Sequence, residues 1–316
     1  PGIARVKAEL LDLSGALYWR GNAEIENLDL SQWMEVPPAG PLAGTLEVEG
    51  DLARYAARGN IRGAGLPEAG VGIETAMRYA DRRLHVDSLA LETAPGAVVR
   101  AEGWMAVGDE PVFSIAASWT GFRWPLAGKA ILASPQGRFT AEGWKEFTYR
   151  VSGDFRPATA PPVAGEAAGR VTTTAIVVDE SSWRVLGGRV ALKGSLGRDA
   201  AQAWSAAGRV ADVDPAALRK ELPGRLGFEF EGSGLGFDPQ GPWSASIRAL
   251  RGSLRGQRLT GGGEIRRAPG VTEFRKLAIE LGEARLEADG VLGRGADFRA
   301  RFAADWNAYA ASISAA

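Results

Sequence analysis

The sequence predicts an all-β protein: an elongated, repetitive antiparallel sheet folded lengthwise into an open trough, with one or two short helices. Apolar and polar residues alternate from one end of the chain to the other, which is typical of strands with one dry and one wet face. Glycine contributes 42 of the 316 residues and follows no collagen period, which indicates many turns and bulges between short strands.

Short alternating segments predict the strands, and each places apolar residues on one face and charged residues on the other. Leu46 and Val48, for example, oppose Glu47 and Glu49. The apolar parity changes at Gly282, which a tight hairpin or a bulge produces. The apolar side chains predicted to form the dry face are Leu46, Val48, Val190, Leu192, Leu226, Phe228, Phe230, Leu277, Ile279, Leu281, Phe298, Phe302 and Trp306.

Helical signals are confined to two short segments. Asp214 can cap a helix, Pro215 suits its first position, and Pro223 with Gly224 can end it, which predicts about two helical turns between them. A second short helix is predicted to begin near Ser31.

A loose repeat runs through the chain, with copies that begin near residues 15, 96, 188 and 282. Each copy has a glycine, an alternating strand, a second glycine and then another alternating strand. Because repeats stack in one dimension, we expect one continuous β segment over residues 1–316. The chain opens with Pro-Gly-Ile and has no initiator methionine, so we expect it to be an internal segment of a longer protein.

Composition removes several function classes. The formal net charge is −1, and nucleic-acid binding requires a clustered basic surface, so we expect no nucleic-acid partner. The absence of cysteine removes disulfides, thiol catalysis and zinc–thiolate sites. No apolar run approaches the roughly 20 residues that a membrane-spanning helix needs.

Candidate catalytic residues are few. His85 is the only histidine, and we interpret it as a polar strand position beside Asp87 rather than as a base or a metal ligand. The glycine-rich segments 232–236 and 261–264 are interpreted as β-turns, because no helix follows them to bind a phosphate.

Two carboxylate pairs, Glu47/Glu49 and Glu229/Glu231, are interpreted as solvent-facing neighbours on strands rather than as acid and base. We therefore expect no enzyme activity, no metal and no cofactor.

The dry face is then the main candidate for function. Burial of one large apolar side chain stabilises by roughly 1.5–3 kcal/mol, so an apolar stripe of this length requires a cover. A closed β-sandwich would provide one, and a trough occupied by an apolar ligand would provide another. Repetition favours the trough, and a wall of Leu, Val, Phe and Trp suits acyl chains, which need no hydrogen bonds.

Two regions resemble a known family. Ala-Glu-Ile-Glu-Asn-Leu-Asp-Leu-Ser (23–31) with Pro-Leu-Ala-Gly-Thr-Leu-Glu-Val-Glu-Gly (41–50) resembles a repeat of the TamB (translocation and assembly module subunit) family, within the AsmA-like bridge-type lipid transfer superfamily. So does Leu-Arg-Gly-Ser-Leu-Arg-Gly-Gln-Arg-Leu-Thr-Gly-Gly-Gly (250–263), which leads through 277–282 to 286–293.

The resemblance implies a periplasmic protein tethered to the inner membrane, whose long sheet is folded as a "β-taco" with an apolar interior. It also implies links to outer-membrane protein assembly with the barrel protein TamA, and to phospholipid passage between membranes. We expect the anchor and the partner-binding region to lie outside this chain. The predicted function is that of a non-enzymatic lipid conduit segment. The alternative is a structural or chaperone-like module whose sheet edge pairs with strands of client outer-membrane proteins.

Overall fold

The computed structural model of the protein describes residues 3–12, 17–28, 40–93, 96–108, 111–238, 240–293 and 298–303. The chain divides into two compact units, unit 1 (Pro1–Pro162) and unit 2 (Val163–Ala316). Both units are built from antiparallel strands, which confirms the predicted all-β class. The expectation of one continuous segment over residues 1–316 stays a prediction.

In unit 1 the described strands form a meander, and each pairs antiparallel with its chain neighbours within the unit. They are β1 (Ile3–Asp12), β2 (Tyr18–Leu28), β3 (Leu42–Gly50), β4 (Arg54–Gly63), β5 (Val71–Ala80), β6 (Arg83–Thr93), β7 (Ala97–Ala106), β8 (Phe113–Trp124), β9 (Leu132–Gly143) and β10 (Phe147–Pro157).

Unit 2 repeats this arrangement, again with pairing between chain neighbours in the part that is described. Its strands are β11 (Val163–Val171), β12 (Ala175–Val185), β13 (Gly188–Gly197), β14 (Ala203–Val213), β15 (Gly224–Leu235), β16 (Trp243–Leu254), β17 (Gln257–Ala268), β18 (Val271–Leu281), β19 (Ala284–Gly293) and β20 (Phe298–Ala303).

Register divides each sheet into an apolar face and a charged face. In unit 1, Leu46 of β3 lies opposite Ala23 of β2 and Gly59 of β4, whereas Glu47 lies opposite Asn22 and Arg58. Side chains in register share a face, so each face keeps its character from strand to strand. The alternation in the sequence therefore predicts which residues of one strand share a face.

Bulges interrupt the alternation in unit 2. Asp212, Ala249 and Lys276 have φ angles of 57°, 50° and 48°, and each lies where the register between neighbouring strands shifts. The extra residue at each bulge shifts the alternation by one position. Phe274 and Leu277 therefore lie on the same face, although Leu277 is the third residue after Phe274. A bulge also bends its strand, which curves the sheet.

Aromatic rings lie over glycines on the apolar faces. Trp119 of β8 covers Gly137 of β9, and in unit 2 Trp204 of β14 lies so close to Gly234 that a Cβ added there would be 2.9 Å from the ring. These glycines sit within strands because a neighbouring ring occupies the space of their missing side chains.

Three sequence interpretations are corrected by the structure. Asp214 does cap a helix, with Oδ1 accepting from the backbone N–H of Ala216, but the helix is a single 3₁₀ turn of three residues, Pro215–Ala217. The chain must return to the sheet, since β15 already pairs with β16 at Gly224. The helix predicted near Ser31 lies outside the described residues.

The two glycine-rich segments are the second correction. Residues 261–264 lie inside β17 rather than in a turn, and residues 232–235 complete β15 before Gly236 turns the chain with φ 63°. Neighbouring large side chains explain this, because Leu277 packs against Gly263 as Trp204 packs against Gly234.

The third correction concerns the first repeat copy. The copies near 96, 188 and 282 introduce β7, β13 and β19, and each is followed by a separate strand as predicted. In the first copy, however, the two predicted strands are parts of the single strand β2. The reason is that Gly21 does not turn the chain but stays in register between Ala8 and Val48.

Candidate functional site

The predicted dry-face residues lie on the apolar faces wherever their side chains are described. Leu46 and Val48 are half-buried on β3 in unit 1. The other described members are half-buried in unit 2: Val190, Leu192, Leu226, Phe228, Phe230, Leu277, Ile279 and Leu281. Phe298 and Phe302 belong to β20, where their backbones pair with Gly290 and Leu286, and Trp306 lies outside the described residues.

Register brings the unit 2 members into one patch. Val190 lies opposite Val210, which lies opposite Phe228, and Leu192 is linked to Phe230 through Gly208 in the same way. The Phe228 and Phe230 rings are 6.3 Å apart. A second run joins Leu226 of β15 to Leu281 of β18 through Gly252 and Leu259.

The apolar faces are only partly covered. The buried apolar residues of the described chain are few, namely Leu42, Val71, Ala141, Ala167, Val210, Val213, Leu259 and Ala288. Most described side chains on these faces are half-buried, so each unit leaves part of the carbon surface of its apolar face accessible.

Polar atoms of the aromatic side chains are tied back to the sheet. The Trp119 indole donates to Ser134 Oγ at 2.7 Å, and this hydroxyl, 1% exposed, donates to the Asp154 carbonyl at 2.7 Å. In unit 2 the Trp204 indole donates to the Gly236 carbonyl at 2.9 Å. These bonds leave the carbon surface of each ring as part of the apolar face.

One charged residue shares a face with the apolar side chains. Among the strand positions that the structure describes, register places only uncharged residues on the apolar face of unit 1, and a single cation, Arg267, on that of unit 2. Sequence reasoning missed Arg267, although it has the same parity as Ile265 and the opposite parity to Arg266.

The charged faces carry cross-strand ion pairs. Arg20 and Glu49 approach to 2.9 Å, Arg58 and Glu74 to 2.6 Å, and Arg248 contacts Glu231. Their side chains are more than 40% exposed, so solvent screens each pair and its contribution to stability is small.

The predicted solvent-facing character of the carboxylate pairs agrees with this arrangement. Hydrogen bonds from the side chains of Arg20 and Tyr18 lower the pKa of Glu49 below its ordinary value. His85 is a strand position beside Asp87, as predicted, and both side chains contact Arg78, at 3.4 Å and 2.9 Å.

Grooves are found along the charged faces. One in unit 1 has a volume of about 1210 Å³ and is lined by charged side chains that include Glu47, Arg58 and Glu102. One in unit 2, of about 660 Å³, contains a row of serines in which Ser195 and Ser205 are 2.9 Å apart. A twisted, coiled sheet is saddle-shaped, so each face has one concave direction.

The described residues contain no helix whose length and apolar character would let it cross a membrane. They also contain no group of three or more His, Cys, Asp or Glu residues that could hold a metal ion.

The chain is similar to a known protein family. Residues 108–309, more than half of the chain, match the family model described as "TamB, N-terminal domain". No curated protein and no solved structure matches the chain.

Proposed function

Because the chain belongs to the TamB family, we propose that its apolar faces bind phospholipid acyl chains and act as segments of a lipid conduit between the inner and outer membranes. The family is a non-enzymatic module of outer-membrane assembly and lipid transport that works with TamA. Its members are anchored in the inner membrane and span the periplasm, so we place this chain in the periplasm, tethered by a segment outside it.

The observation that carries the proposal is the chemical uniformity of the apolar face of unit 1. From β2 to β10, every described position in register on this face is uncharged, although the neighbouring positions on the other face carry arginines and glutamates. An acyl chain offers no hydrogen bonds, so a surface without charges is the one that it can move along at least cost.

Partial burial supports the same proposal. Phe228, Phe230 and Leu192 are half-buried, so each still exposes carbon surface that a ligand can cover. Covering a large apolar side chain stabilises by roughly 1.5–3 kcal/mol when the burial is complete, and the half-exposed residues retain part of this. Because no single contact dominates, lipid can slide from strand to strand without a deep free-energy minimum.

Photocrosslinking at two positions of one strand tests the proposal. A photoreactive amino acid replaces Phe230 on the apolar face of β15, or Ser233 on its charged face, in the full-length protein in intact cells. We expect lipid adducts at position 230 and none at position 233, as judged by mass spectrometry of the purified adducts.

Two outcomes would contradict the conduit. Equal lipid labelling at both positions would show non-specific contact with membrane lipids. Peptide adducts at position 230 without lipid adducts would instead favour the chaperone-like alternative, in which client strands contact this protein.

A further inference from the structure

Arg267 is a charged group in apolar surroundings. It is the second-to-last residue of β17, half-buried, in register with Trp243 of β16 and Thr272 of β18. The same row continues through Gly234 and Trp204 on one side. A guanidinium carries its charge at all physiological pH values, so this position keeps a cation on the apolar face of unit 2.

The described residues do not neutralise this cation. In the described chain, Arg267 Nη1 donates to Thr272 Oγ1 at 3.1 Å and Nη2 donates to the Gln240 side-chain oxygen, and both acceptors are uncharged. The Nε atom is buried and has no hydrogen-bond partner. The described acceptors of both Nη atoms are therefore neutral, and an anion is the ligand that a guanidinium prefers.

The position of Arg267 specifies the kind of anion. The residue lies next to the turn at 269–270, whereas Ile265, Gly263 and Gly261 extend the apolar face along β17 away from the turn. A ligand that fits has an anionic group at one end and an apolar chain at the other. Nη1 and Nη2 of Arg267 each keep a second N–H. Two oxygens of one phosphate can therefore accept hydrogen bonds from the guanidinium in parallel.

We propose that Arg267 binds the phosphate group of a lipid whose acyl chains lie on the apolar face of unit 2. This inference rests on the proposed function and adds to it a headgroup site. Lipid would then bind in a defined orientation, with its headgroup at the rim formed by the turns and its acyl chains pointing along the strands toward the other rim.

Two adjacent arginines provide the test. The full 316-residue chain is titrated with dodecyl phosphate, with dodecyl maltoside and with inorganic phosphate, below the micelle concentration of each detergent. Arg267→Gln removes the charge from the apolar face, and Arg266→Gln removes the same charge from the opposite face of the same strand, where Arg266 is in register with Ser244 and Glu273.

We expect Arg267→Gln to weaken dodecyl phosphate binding by about tenfold or more, because charge-assisted hydrogen bonds are lost. Binding of dodecyl maltoside should be unchanged, and Arg266→Gln should bind both detergents as the unmodified chain does. Arg267→Lys keeps the charge without the planar fork, so its affinity should lie between the two. This variant also preserves the test if Arg267→Gln does not fold.

Three results would overturn the headgroup site, and they differ from failure of the conduit. Equal effects of Arg266→Gln and Arg267→Gln would show that only net charge matters. Inorganic phosphate that binds as tightly as dodecyl phosphate, in an Arg267-dependent manner, would identify a site for the free anion instead of a lipid. Dodecyl maltoside binding with no preference for dodecyl phosphate would leave the conduit intact but refute the role of Arg267. If neither detergent binds the unmodified chain, the conduit itself is refuted.

Discussion

Trp119 in unit 1 and Trp204 in unit 2 occupy comparable places on their apolar faces. Each ring lies over a glycine of the next strand, Gly137 or Gly234, and each indole N–H is hydrogen bonded. Their acceptors differ, since Trp119 donates to the buried Ser134 hydroxyl whereas Trp204 donates to a turn carbonyl. The difference shows that one packing arrangement can be completed by a side chain or by the backbone.

The surroundings of the two tryptophans also differ. Trp119 belongs to an aromatic cluster, with the Phe122 and Phe155 rings each 6.3 Å away, and Ser134 links three strands of unit 1. Trp204 lies in the row that leads to Arg267. We therefore expect unit 1 to depend on this packing for stability, and unit 2 to be the more tolerant of the two.

Removal of the two rings should give the largest effect. Trp119→Ala empties the aromatic cluster and leaves Ser134 without its donor, so it should lower the free energy of unfolding by about 3 kcal/mol. Trp204→Ala loses one ring and a bond to an accessible turn, which should cost about 1–2 kcal/mol. Urea unfolding followed by circular dichroism measures both, and an equal or larger loss for Trp204→Ala would break the comparison.

Alanine substitutions beneath the rings should give an intermediate effect. The Cβ of Gly137→Ala would clash with the Trp119 ring and lie 2.8 Å from the Ser152 carbonyl oxygen, which should cost about 2 kcal/mol. At Gly234 the closest atoms belong to the Trp204 ring alone, at 2.9 Å, so Gly234→Ala should cost about 1 kcal/mol.

Gly72→Ala is the matched control for these variants. Its Cβ would meet its nearest neighbour at 3.7 Å, an ordinary contact, so its melting temperature should stay close to that of the unmodified chain. If Gly72→Ala destabilises as much as Gly137→Ala, the glycines are needed for strand flexibility and not for the rings.

Acid should have the smallest effect, and it should act on unit 1. Backbone N–H groups of Ala53 and Arg54 donate to Asp51 Oδ1 at 2.7 Å and 2.8 Å and lower the pKa of this carboxyl, as Arg20 lowers the pKa of Glu49. A lowered pKa in the folded state contributes stability above the unfolded-state value of about 4, and this is lost as the pH falls through the folded-state value.

The variant Asp51→Asn separates this contribution. At pH 7 it should be slightly less stable than the unmodified chain, and the difference should shrink as the pH falls below about 4. Urea midpoints measured from pH 7 to pH 2.5 test this, and a difference that stays constant over that range would show that the carboxylate charge is not involved.

The strands could be predicted from the sequence because burial of every second side chain produces the alternating pattern. Phe228 and Phe230 could be placed together for that reason. The bulges at Ala249 and Lys276 could not be found, since neither residue type marks a positive φ and only the register between strands requires it.

The site was predicted in part for the same reason. Leu226 could be assigned to the apolar face, but its connection to Leu281 runs through Gly252 and Leu259, and such pairings over two intervening strands carry no local signal. The prediction of two helical turns after Asp214 was wrong for a related reason. The cap is a local signal, whereas the position at which the chain re-enters the sheet as β15 is set by pairing with β16. Arg267 was missed because the face was defined by its apolar residues, and charged residues of the same parity were not considered.

Pairing between chain neighbours has a consequence for how such a sheet can evolve. Each hairpin in the described part of the chain makes its contacts with the strands just before and after it, so two strands can be gained or lost without exchanging the two faces of the remaining strands. Each such event changes the width of the sheet by about 9.6 Å. Duplication of one hairpin in the gene would thus widen the sheet by two strands. The added strands would already have an apolar face and a charged face that match those of their neighbours.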